Sequence, residues 1–331
     1  MREGPRSCTE SLGRPGSSLK ASDETFHRPV MVNEVLAQFE PAKDGEIMDG
    51  TVGGGGHSRA LLERYRACRV IAVDQDPEAL EAAKALLLSY IDRVSFKEAR
   101  FHETAVEAGA QGPSLAGAFL DLGVSAYQLD RDDRGFSFRD PAPLDMRMAG
   151  AARGDPTAAD LLNSLDEGEL GKIFREYGEE RRWRRLARAV TLLRGDRPFR
   201  VAAHLTEAIA KALRKSPTNK EKAKVFQALR VAVNDELEGL RAALPALLGA
   251  LRPMGVLVVI AYESLTDRTI KEAFRSWSCD CVCPPGLPVC VCRGEALGRT
   301  TVKGAVRPSE AEISQNPRAR SARLRAWIKA A

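Results

Sequence analysis

Short apolar runs alternate with amphipathic helical patterns over the first 125 residues of the chain. Four runs are predicted to form strands, and they cover Glu46–Asp49, Val70–Asp74, Val94–Phe96 and Gly117–Asp121. Helical periodicity occupies Ser58–Arg66 and Pro77–Ser89, between these runs. Because strands that alternate with helices form parallel sheets, the pattern predicts an α/β fold with helices on both faces of the sheet.

The pattern changes between Leu129 and Lys222, where amphipathic helices follow one another without a convincing strand. A long helical region over Ala223–Ala250 then leads to another buried strand at Val256–Ala261. We therefore predict three parts, which are a disordered tail over 1–25, a sheet domain formed by 26–128 and 223–331, and an inserted α-helical domain over 129–222.

The composition is that of a globular protein, since 44% of the 331 residues are hydrophobic and 29% are charged. Residues 1–22 are rich in Gly, Ser, Pro and Arg and lack the apolar segment of a secretory signal. No apolar run is long enough to span a bilayer. These features predict a cytoplasmic protein that does not enter a membrane.

The formal net charge of +5 is too small to predict nucleic-acid binding by itself, but the basic residues are clustered. One cluster contains Arg181, Arg182, Arg184 and Arg185, and the other contains Arg318, Arg320, Arg323, Arg325 and Lys329. Each cluster fits either a solvated helix face or a surface that contacts phosphates.

A glycine-rich turn, Gly53–Gly56, follows the first predicted strand and precedes a helix. Glycine tolerates positive φ angles, so such a turn lets the backbone approach a ligand closely. Asp74, at the end of the second strand, can accept hydrogen bonds from both hydroxyls of a ribose. The spacing leaves two cofactors open, a dinucleotide and S-adenosylmethionine. The continuous glycine run, with the carboxylate of Asp49 before it, favours S-adenosylmethionine, which is cationic and has no phosphate.

Eight segments carry a more specific signal. They are Asp49–Ser58 (DGTVGGGGHS), Asp121–Ser125 (DLGVS), Gln128–Asp130 (QLD), Arg134–Phe138 (RGFSF), Pro143–Met148 (PLDMRM), Tyr177–Arg181 (YGEER), Phe226–Arg230 (FQALR) and Asn316–Ser321 (NPRARS). In this order they resemble the ribosomal small-subunit RNA (cytosine-N4)-methyltransferase family. The resemblance extends from about His27 to the C-terminus.

The resemblance implies a class I S-adenosylmethionine-dependent methyltransferase fold, a Rossmann-like sheet with a helical domain inserted after the fourth strand. It implies methyl transfer from S-adenosylmethionine to the N4 amine of a cytidine in 16S ribosomal RNA. The small-subunit RNA would be the partner, and a homodimer is left open. By motif match, the cofactor-binding residues are Gly55, Gly56, His57, Asp74, Phe101, Asp121 and Gln128. Asp74 would bind the ribose, Phe101 would lie beside the adenine, and Asp121 and Gln128 would lie near the transferred methyl group.

Two carboxylates are candidates for the catalytic group, Asp121 first and Asp145 second. A carboxylate that accepts a hydrogen of the N4 amine would localise the nitrogen lone pair and stabilise the developing cation. Asp145 has an alternative role, because a salt bridge with Arg147 would anchor the inserted domain. Arg134, Phe136 and Phe138 are predicted to form a stacking platform for an unstacked RNA base, and Trp183 is a second candidate.

Some positions depart from the family pattern. Glu263 stands where the family usually has His, Thr266 where it has Glu, and Met254 where it has Gly. Since these changes fall near the active-site side of the sheet, two alternatives to the implied activity stay open. One is a diverged methyltransferase that acts on another RNA target, and the other is a non-catalytic RNA-binding factor in ribosome assembly.

Five cysteines fall within fourteen residues near the C-terminus. Cys281, Cys283, Cys290 and Cys292 form two Cys-x-Cys pairs, which could hold a structural zinc ion. Buried thiols and disulfides are the alternatives. No catalytic metal is predicted.

Overall fold

A single seven-stranded sheet organises the computed structural model, which describes residues 29–138, 141–281, 283, 292 and 294–331. The strands are β1 Glu46–Asp49, β2 Arg69–Asp74, β3 Val94–Glu98, β4 Leu115–Leu122, β5 Leu251–Ala261, β6 Gly298–Thr300 and β7 Arg323–Lys329. Their order across the sheet is β3-β2-β1-β4-β5-β7-β6. Strands β1 to β5 run parallel to one another, and β7 runs antiparallel to both of its neighbours. The predicted parallel sheet is therefore confirmed.

Helices cover both faces of the sheet. They are α1 Val32–Gln38, α2 Gly56–Arg64, α3 Pro77–Leu86, α4 Phe101–Gln111, α11 Glu236–Ala250, α12 Ser264–Trp277 and α13 Glu310–Gln315. Alternate strand residues enter different cores, since Phe119 and Val258 pack on one face while Leu120 and Val259 pack on the other. The central strands are buried on both faces, which explains their continuous apolar sequence.

In the described part of the chain, seven α-helices lie between β4 and β5, and the last of them, α11, covers the sheet. The described part of this segment has no strand longer than an isolated bridge, and six helices precede α11 in it. They are α5 Ala126–Asp130, α6 Ala158–Ser164, α7 Glu167–Glu176, α8 Trp183–Asp196, α9 Ala202–Leu213 and α10 Asn219–Val233. Their apolar faces form a third core around Phe174 and Phe199. Phe226 and Leu229 also belong to this core, so α10 continues it beyond residue 222, where we proposed that the insertion ends.

The region predicted as one long helix over 223–250 is two helices in the structure. The break lies at Asn234 and Asp235, and Asp235 has a left-handed backbone with φ +52°. The side chain of Asn234 explains the break, because its amide donates to the carbonyl of Met146 at 2.8 Å and its oxygen accepts from the N–H of Met148 at 2.7 Å. A long-range contact therefore ends a helix that the local periodicity would continue.

The C-terminal segment was predicted only as a basic tail, but it contains β7, which inserts between β5 and β6. Leu324, Ala326 and Ile328 point into one core, and the intervening arginines point the other way. Arg323 and Arg325 both bind Asp267 of α12, with a closest distance of 2.7 Å from Arg325 Nε. The alternation typical of a strand is present in the sequence but is masked by its charge.

Candidate active site

A cavity opens at the carboxyl edge of the sheet, where β1, β2, β4 and β5 end. We call it the edge cavity; Gly53, Asp74, Asp121, Gln128 and Tyr262 are among its lining residues. In open parallel sheets ligands bind at this edge, because the loops that follow the strands converge there. The cavity thus lies where the sequence places its glycine turn and its two strand-end carboxylates.

The glycine turn forms the floor of this cavity and leads into α2. Gly53 has φ +51° and Gly55 has φ +88°, the left-handed region that favours glycine. Gly55 is the N-cap of α2 and is not among the lining residues, whereas Gly56 and His57 are. A Cβ atom on Gly56 would lie 2.9 Å from Pro29, so this close approach also requires glycine.

Asp49 supports the turn from below and does not line the cavity. It is fully buried, accepts a hydrogen bond from Ser58 Oγ at 2.6 Å and accepts another from the N–H of Thr51 at 3.3 Å. Burial raises its pKa to about 6. The carboxylate of Asp49 therefore shapes the turn, and its predicted role near a cationic cofactor stays a prediction without direct contact to the cavity.

Asp74 lies in the cavity wall at the end of β2. Its carboxylate accepts from the N–H of Gly53 at 2.8 Å and from the N–H of Asp76 at 3.0 Å. Burial raises its pKa to about 6, against the backbone hydrogen bonds, which lower it. The two N–H groups fix the carboxylate so that it faces the cavity from one side.

Asp121 reaches the same cavity from the end of β4, and its N–H donates to Thr51 Oγ1 at 2.7 Å. The phenol of Tyr262, which follows β5, hydrogen-bonds to Asp121. Burial, and next the charge of Asp121, raise the pKa of Tyr262 above its ordinary value. Tyr262 is not among the predicted site residues, although its position directly after a buried strand was a usable signal.

Gln128 is buried in a polar network beside the cavity. Its side-chain amide donates to Asp76 Oδ2 at 3.1 Å and to the carbonyl of Met148 at 3.4 Å. Arg134 donates to the same two acceptors, at 2.9 and 2.6 Å. The network holds the Met148 loop, which belongs to the segment between β4 and β5, against the start of α3.

His57 contributes an aromatic wall. Its ring is buried, with Nε2 2.8 Å from the carbonyl of Val30 and its centroid 4.7 Å from the ring of Phe119. Burial is the largest influence on His57 and lowers its pKa. A neutral ring at this place suits packing against an uncharged part of a ligand.

Phe101 lies in an adjoining cavity, which we call the side cavity. The two cavities share four wall residues, Thr51, Gln75, Gly123 and Met148. The side cavity continues from Phe101 to Glu263, which accepts from Arg230 at 2.7 Å and from Gln227 at 2.6 Å. Arg230 also binds Glu236 at 2.7 Å, so a charged network closes this end.

Asp145 is not among the residues that line either cavity. Both of its carboxylate oxygens accept from the guanidinium of Arg147, at 2.9 and 2.7 Å. This geometry matches the alternative role, a salt bridge that anchors the insertion. The catalytic role of Asp145 stays a prediction with no support from its position.

The predicted stacking platform is wrong. Arg134 and Phe136 are each only 9% exposed, and Phe136 packs in the helical core. Phe138 packs edge-on against Phe226, with ring centroids 5.9 Å apart. Because Arg134 and Phe136 are used for the Asp76 salt bridge and for packing, they do not offer an open face to a base. Phe138 is half-buried and lines a separate surface cavity, so it alone does not make the predicted platform.

Comparison with known proteins agrees with this geometry. The sequence profile of the MraW methylase family matches residues 24–330. The chain belongs to the MraW methylase family. The family and the methyltransferase class that the motifs implied are thereby confirmed. The sheet described above confirms the Rossmann-like architecture.

Relatives of this MraW methylase are similar over nearly their full length. The ribosomal RNA small subunit methyltransferase H of Gemmatimonas aurantiaca is 47% identical over 308 residues, covering 92% of this chain and 96% of the relative. The protein of the same name from Heliobacterium mobile is 44% identical over 309 residues, covering 91% and 98%. A solved rRNA methylase from Streptococcus thermophilus matches 92% of this chain and 98% of its own chain, with 11% identity and a TM-score of 0.41. This similarity is too distant to add to the comparison with the relatives.

The cysteine loop of this MraW methylase brings three thiols together. The sulfur atoms of Cys281, Cys283 and Cys292 lie within 4.8 Å of one another, and Cys281 Sγ is 3.8 Å from Cys292 Sγ. The fourth predicted ligand, Cys290, lies outside the described residues.

Within the part of the chain that the structure describes, no helix is both long enough and apolar enough to cross a bilayer.

Proposed function

We propose that this protein transfers a methyl group from S-adenosylmethionine to the N4 amine of a cytidine in small-subunit ribosomal RNA. The observation that carries the proposal is the convergence of Asp74 and Asp121 on one glycine-floored cavity. One carboxylate suits a ribose, and the other suits an amine. Membership of the MraW methylase family, whose relatives bear the name ribosomal RNA small subunit methyltransferase H, supports the substrate.

The edge cavity fits a cationic donor better than a dinucleotide. Among the described residues that line it there is no lysine or arginine, whereas Asp74 and Asp121 both face it. A pyrophosphate bound there would lack a positively charged partner and would lie near two carboxylates. A sulfonium has the opposite charge and is attracted to them. The lining therefore favours S-adenosylmethionine over the dinucleotide that the glycine spacing left open.

Different side chains of the site bind and align different parts of the donor. S-adenosylmethionine supplies a methyl group on a positively charged sulfur, which makes that carbon electrophilic. Asp74 accepts hydrogen bonds from the ribose hydroxyls, Phe101 packs beside the adenine, and Gln128 lies towards the methyl group. Gly55, Gly56 and His57 shape the loop that receives the amino-acid moiety.

Asp121 is the group that we assign to the amine. The N4 lone pair of cytosine is delocalised into the ring, so the amine is a weak nucleophile. A carboxylate that accepts one N4 hydrogen localises the lone pair and stabilises the positive charge that develops on nitrogen. The hydrogen bond from Tyr262 keeps the Asp121 carboxylate oriented for this contact.

The remaining assignments concern the surroundings of the site. The inserted helical region 129–222 is proposed to form an RNA-recognition domain, and the protein is proposed to act in the cytoplasm. A homodimer stays a prediction. The segment 1–25 was predicted to be a disordered tail and lies outside the described residues.

Methyl transfer to small ribosomal subunits that lack the modification tests the proposal directly. We expect transfer of labelled methyl from S-adenosylmethionine to one cytidine, identified by mass spectrometry of the digested RNA. Binding of the donor by calorimetry without any transfer to the subunits would contradict the substrate assignment and leave the donor site intact.

Glu263 favours one second candidate, a related methyltransferase with a different target. The residue replaces a usual His and, with Arg230, sets the charge of the side cavity. Mapping the methylated nucleotide separates the two candidates, because the second predicts a product at another base or in another RNA.

Donor affinity should depend on pH through Asp74. The ionised carboxylate accepts the ribose hydrogen bonds, and burial places its pKa at about 6. Affinity should therefore be constant above this pH and should fall about tenfold for each unit below it. Calorimetric titrations of S-adenosylmethionine from about pH 5 to about pH 8 measure this change in affinity, because the range brackets the pKa of Asp74.

Asp74→Asn is the control for this profile. The variant should bind the donor more weakly at neutral pH and should lose the decline that is due to Asp74. Asp49, whose pKa is also raised to about 6, remains in the variant and reports any separate contribution from the turn. An identical decline in both proteins would show that Asp74 is not the titrating group.

We also propose a structural zinc ion bound by Cys281, Cys283 and Cys292. Tetrahedral zinc holds thiolate sulfurs at about 2.3 Å, which places two such sulfurs about 3.8 Å apart. Cys281 Sγ and Cys292 Sγ have this separation. The three thiols come from the two ends of the loop 281–292, so a bound metal would close that loop.

Protein purified without chelators should contain about one zinc ion per chain. Cys281→Ser and Cys283→Ser should each lower this ratio strongly, because each removes a thiolate. Cys68→Ser is the matched control, since Cys68 is buried elsewhere in the sheet domain and should not affect the metal content. Equal metal content in all variants would contradict the site.

A further inference from the structure

Five arginine side chains near the start of α8 face solvent. They are Arg181, Arg182, Arg184, Arg185 and Arg188. Among the described residues, no carboxylate lies within ion-pair distance of any of the five guanidinium groups. Of the nearby acids, Glu176 pairs with Arg175 and Glu179 pairs with Arg268 of α12. This cluster, which we call the α8 arginine face, therefore carries uncompensated positive charge.

The C-terminal basic cluster behaves differently, although the sequence offers both clusters as phosphate-binding candidates. Arg318 pairs with Asp130, and Arg323 and Arg325 pair with Asp267. Lys329 donates to the carbonyls of Leu248 and Leu251. Most charged groups of the C-terminal cluster therefore have partners within the protein. The structure thus distinguishes two basic clusters that look alike in sequence.

The positive charge of the α8 arginine face is electrostatically unfavourable at the N-terminus of α8. The N-terminus of a helix carries partial positive charge, so an exposed cation near it is mildly unfavourable. Helix α8 has no acidic residue in its first turn and no side-chain cap, although Glu180, just before it, accepts from the N–H of Arg182 at 2.8 Å. By contrast, α6, α7 and α10 each begin with a capping box that ends in a carboxylate. Apart from the contact of Arg184 with Trp183, the ion pairs of the described residues give no structural role for arginine at these positions.

The orientation of the face is fixed by packing on the other side of α8. Leu186, Ala187 and Val190 are buried in the helical core. Arg185 and Arg188 are three residues apart on α8, so they share the side opposite these apolar residues, while Arg181 lies in the turn before the helix. Arg184 lies over the ring of Trp183 at 4.3 Å, and that ring packs against Gly171. The charges are therefore presented on a rigid element.

We propose that the α8 arginine face binds the phosphate backbone of the RNA substrate. Arginine is suited to this contact because its guanidinium donates two parallel hydrogen bonds to phosphate oxygens. The proposal rests on the proposed function for the identity of the RNA. It goes further by assigning the contact to one helix of the segment between β4 and β5.

The test uses Arg181→Gln/Arg185→Gln/Arg188→Gln in the full chain, which leaves the Arg184–Trp183 contact in place. The matched control is Arg66→Gln/Lys271→Gln/Arg275→Gln, which removes three exposed charges from the sheet domain. The probe is a small-subunit ribosomal RNA transcript, titrated at several salt concentrations. Donor affinity by calorimetry and thermal stability are measured on the same preparations.

We expect the α8 variant to bind the transcript at least about tenfold more weakly at 0.1 M salt and to lower the slope of log affinity against log salt by about two. Its donor affinity should be unchanged. Its melting temperature should stay the same or rise, because repulsion with the helix N-terminus is removed. The control should keep the affinity and slope of the wild type.

Three results would overturn the inference. These are an unchanged salt slope in the α8 variant, an equal loss in the control, and a lower melting temperature, which would indicate a structural role. An effect seen with intact subunits but not with the transcript would assign the surface to a ribosomal protein instead and would also overturn it. If wild-type protein fails to methylate small-subunit RNA while the slope changes as expected, the proposed function fails and the RNA-binding surface stands.

Discussion

Replacement of Asp121 by Ala should lower the rate of methyl transfer by roughly 10²–10⁴-fold, the range typical of a positioned acid–base group. The carboxylate faces the edge cavity from the end of β4 and is hydrogen-bonded by Tyr262. When Asp121 is replaced, Asp74 is the one acidic group left among the described residues of the cavity wall, and it is assigned to the ribose. Single-turnover transfer with saturating donor and RNA measures the chemical step separately from binding.

Two further variants sharpen this result. Asp121→Asn keeps an oxygen that can accept the hydrogen bond but removes the charge, so its rate should lie between those of the wild type and Asp121→Ala. Asp145→Asn is the control, because Asp145 pairs with Arg147 and lies outside both cavities. A large rate loss in Asp145→Asn with little loss in Asp121→Ala would reverse our assignment of the two carboxylates.

Replacement of Arg134 by Met should lower the free energy of unfolding by about 3–5 kcal/mol. Arg134 binds Asp76, whose side chain is nearly inaccessible, at 2.9 Å, and also donates to the carbonyl of Met148. Removing the guanidinium leaves the Asp76 charge buried without its main counterion. Equilibrium denaturation by urea, with the folded baseline checked by circular dichroism, gives the loss.

The double variant Asp76→Asn/Arg134→Met provides the internal control. Asn is as good an N-cap as Asp, so it can still accept from the N–H of Glu78 and preserve the start of α3. Removing both charges should therefore restore much of the stability lost in the single variant. A loss below about 1 kcal/mol in Arg134→Met would mean that the pair is screened like a surface salt bridge.

Arg134 and Asn234 show how the segment between β4 and β5 is joined to the sheet. Arg134 links this segment to Asp76 beside β2, and Asn234 fixes the Met146–Met148 loop within the segment. Met148 lines both cavities. Movement of the helices relative to the sheet would therefore change the walls of the proposed donor site.

The sequence by itself determined the parts of this site that depend on neighbours along the chain. Glycines at Gly53 and Gly55 predict a left-handed turn, and alternating apolar runs place Asp74 and Asp121 at strand ends. Parallel strands share one carboxyl edge, so these residues were expected to meet. The motif order added the family and the methyltransferase class, which the comparisons confirm.

Only the tertiary structure decided which polar side chains face the cavity and which support it. Asp49 and Asp74 are both the last residues of strands. Asp49 is buried and hydrogen-bonded to Ser58, whereas Asp74 lines the edge cavity. Likewise, Asp267, distant in sequence, pairs with Arg323 and Arg325, but no carboxylate in the described part of the chain pairs with the arginines of α8. The physical reason is that backbone preference and periodicity act over a few residues. The partner of a charged group, by contrast, is chosen by contacts between segments that can be far apart along the chain.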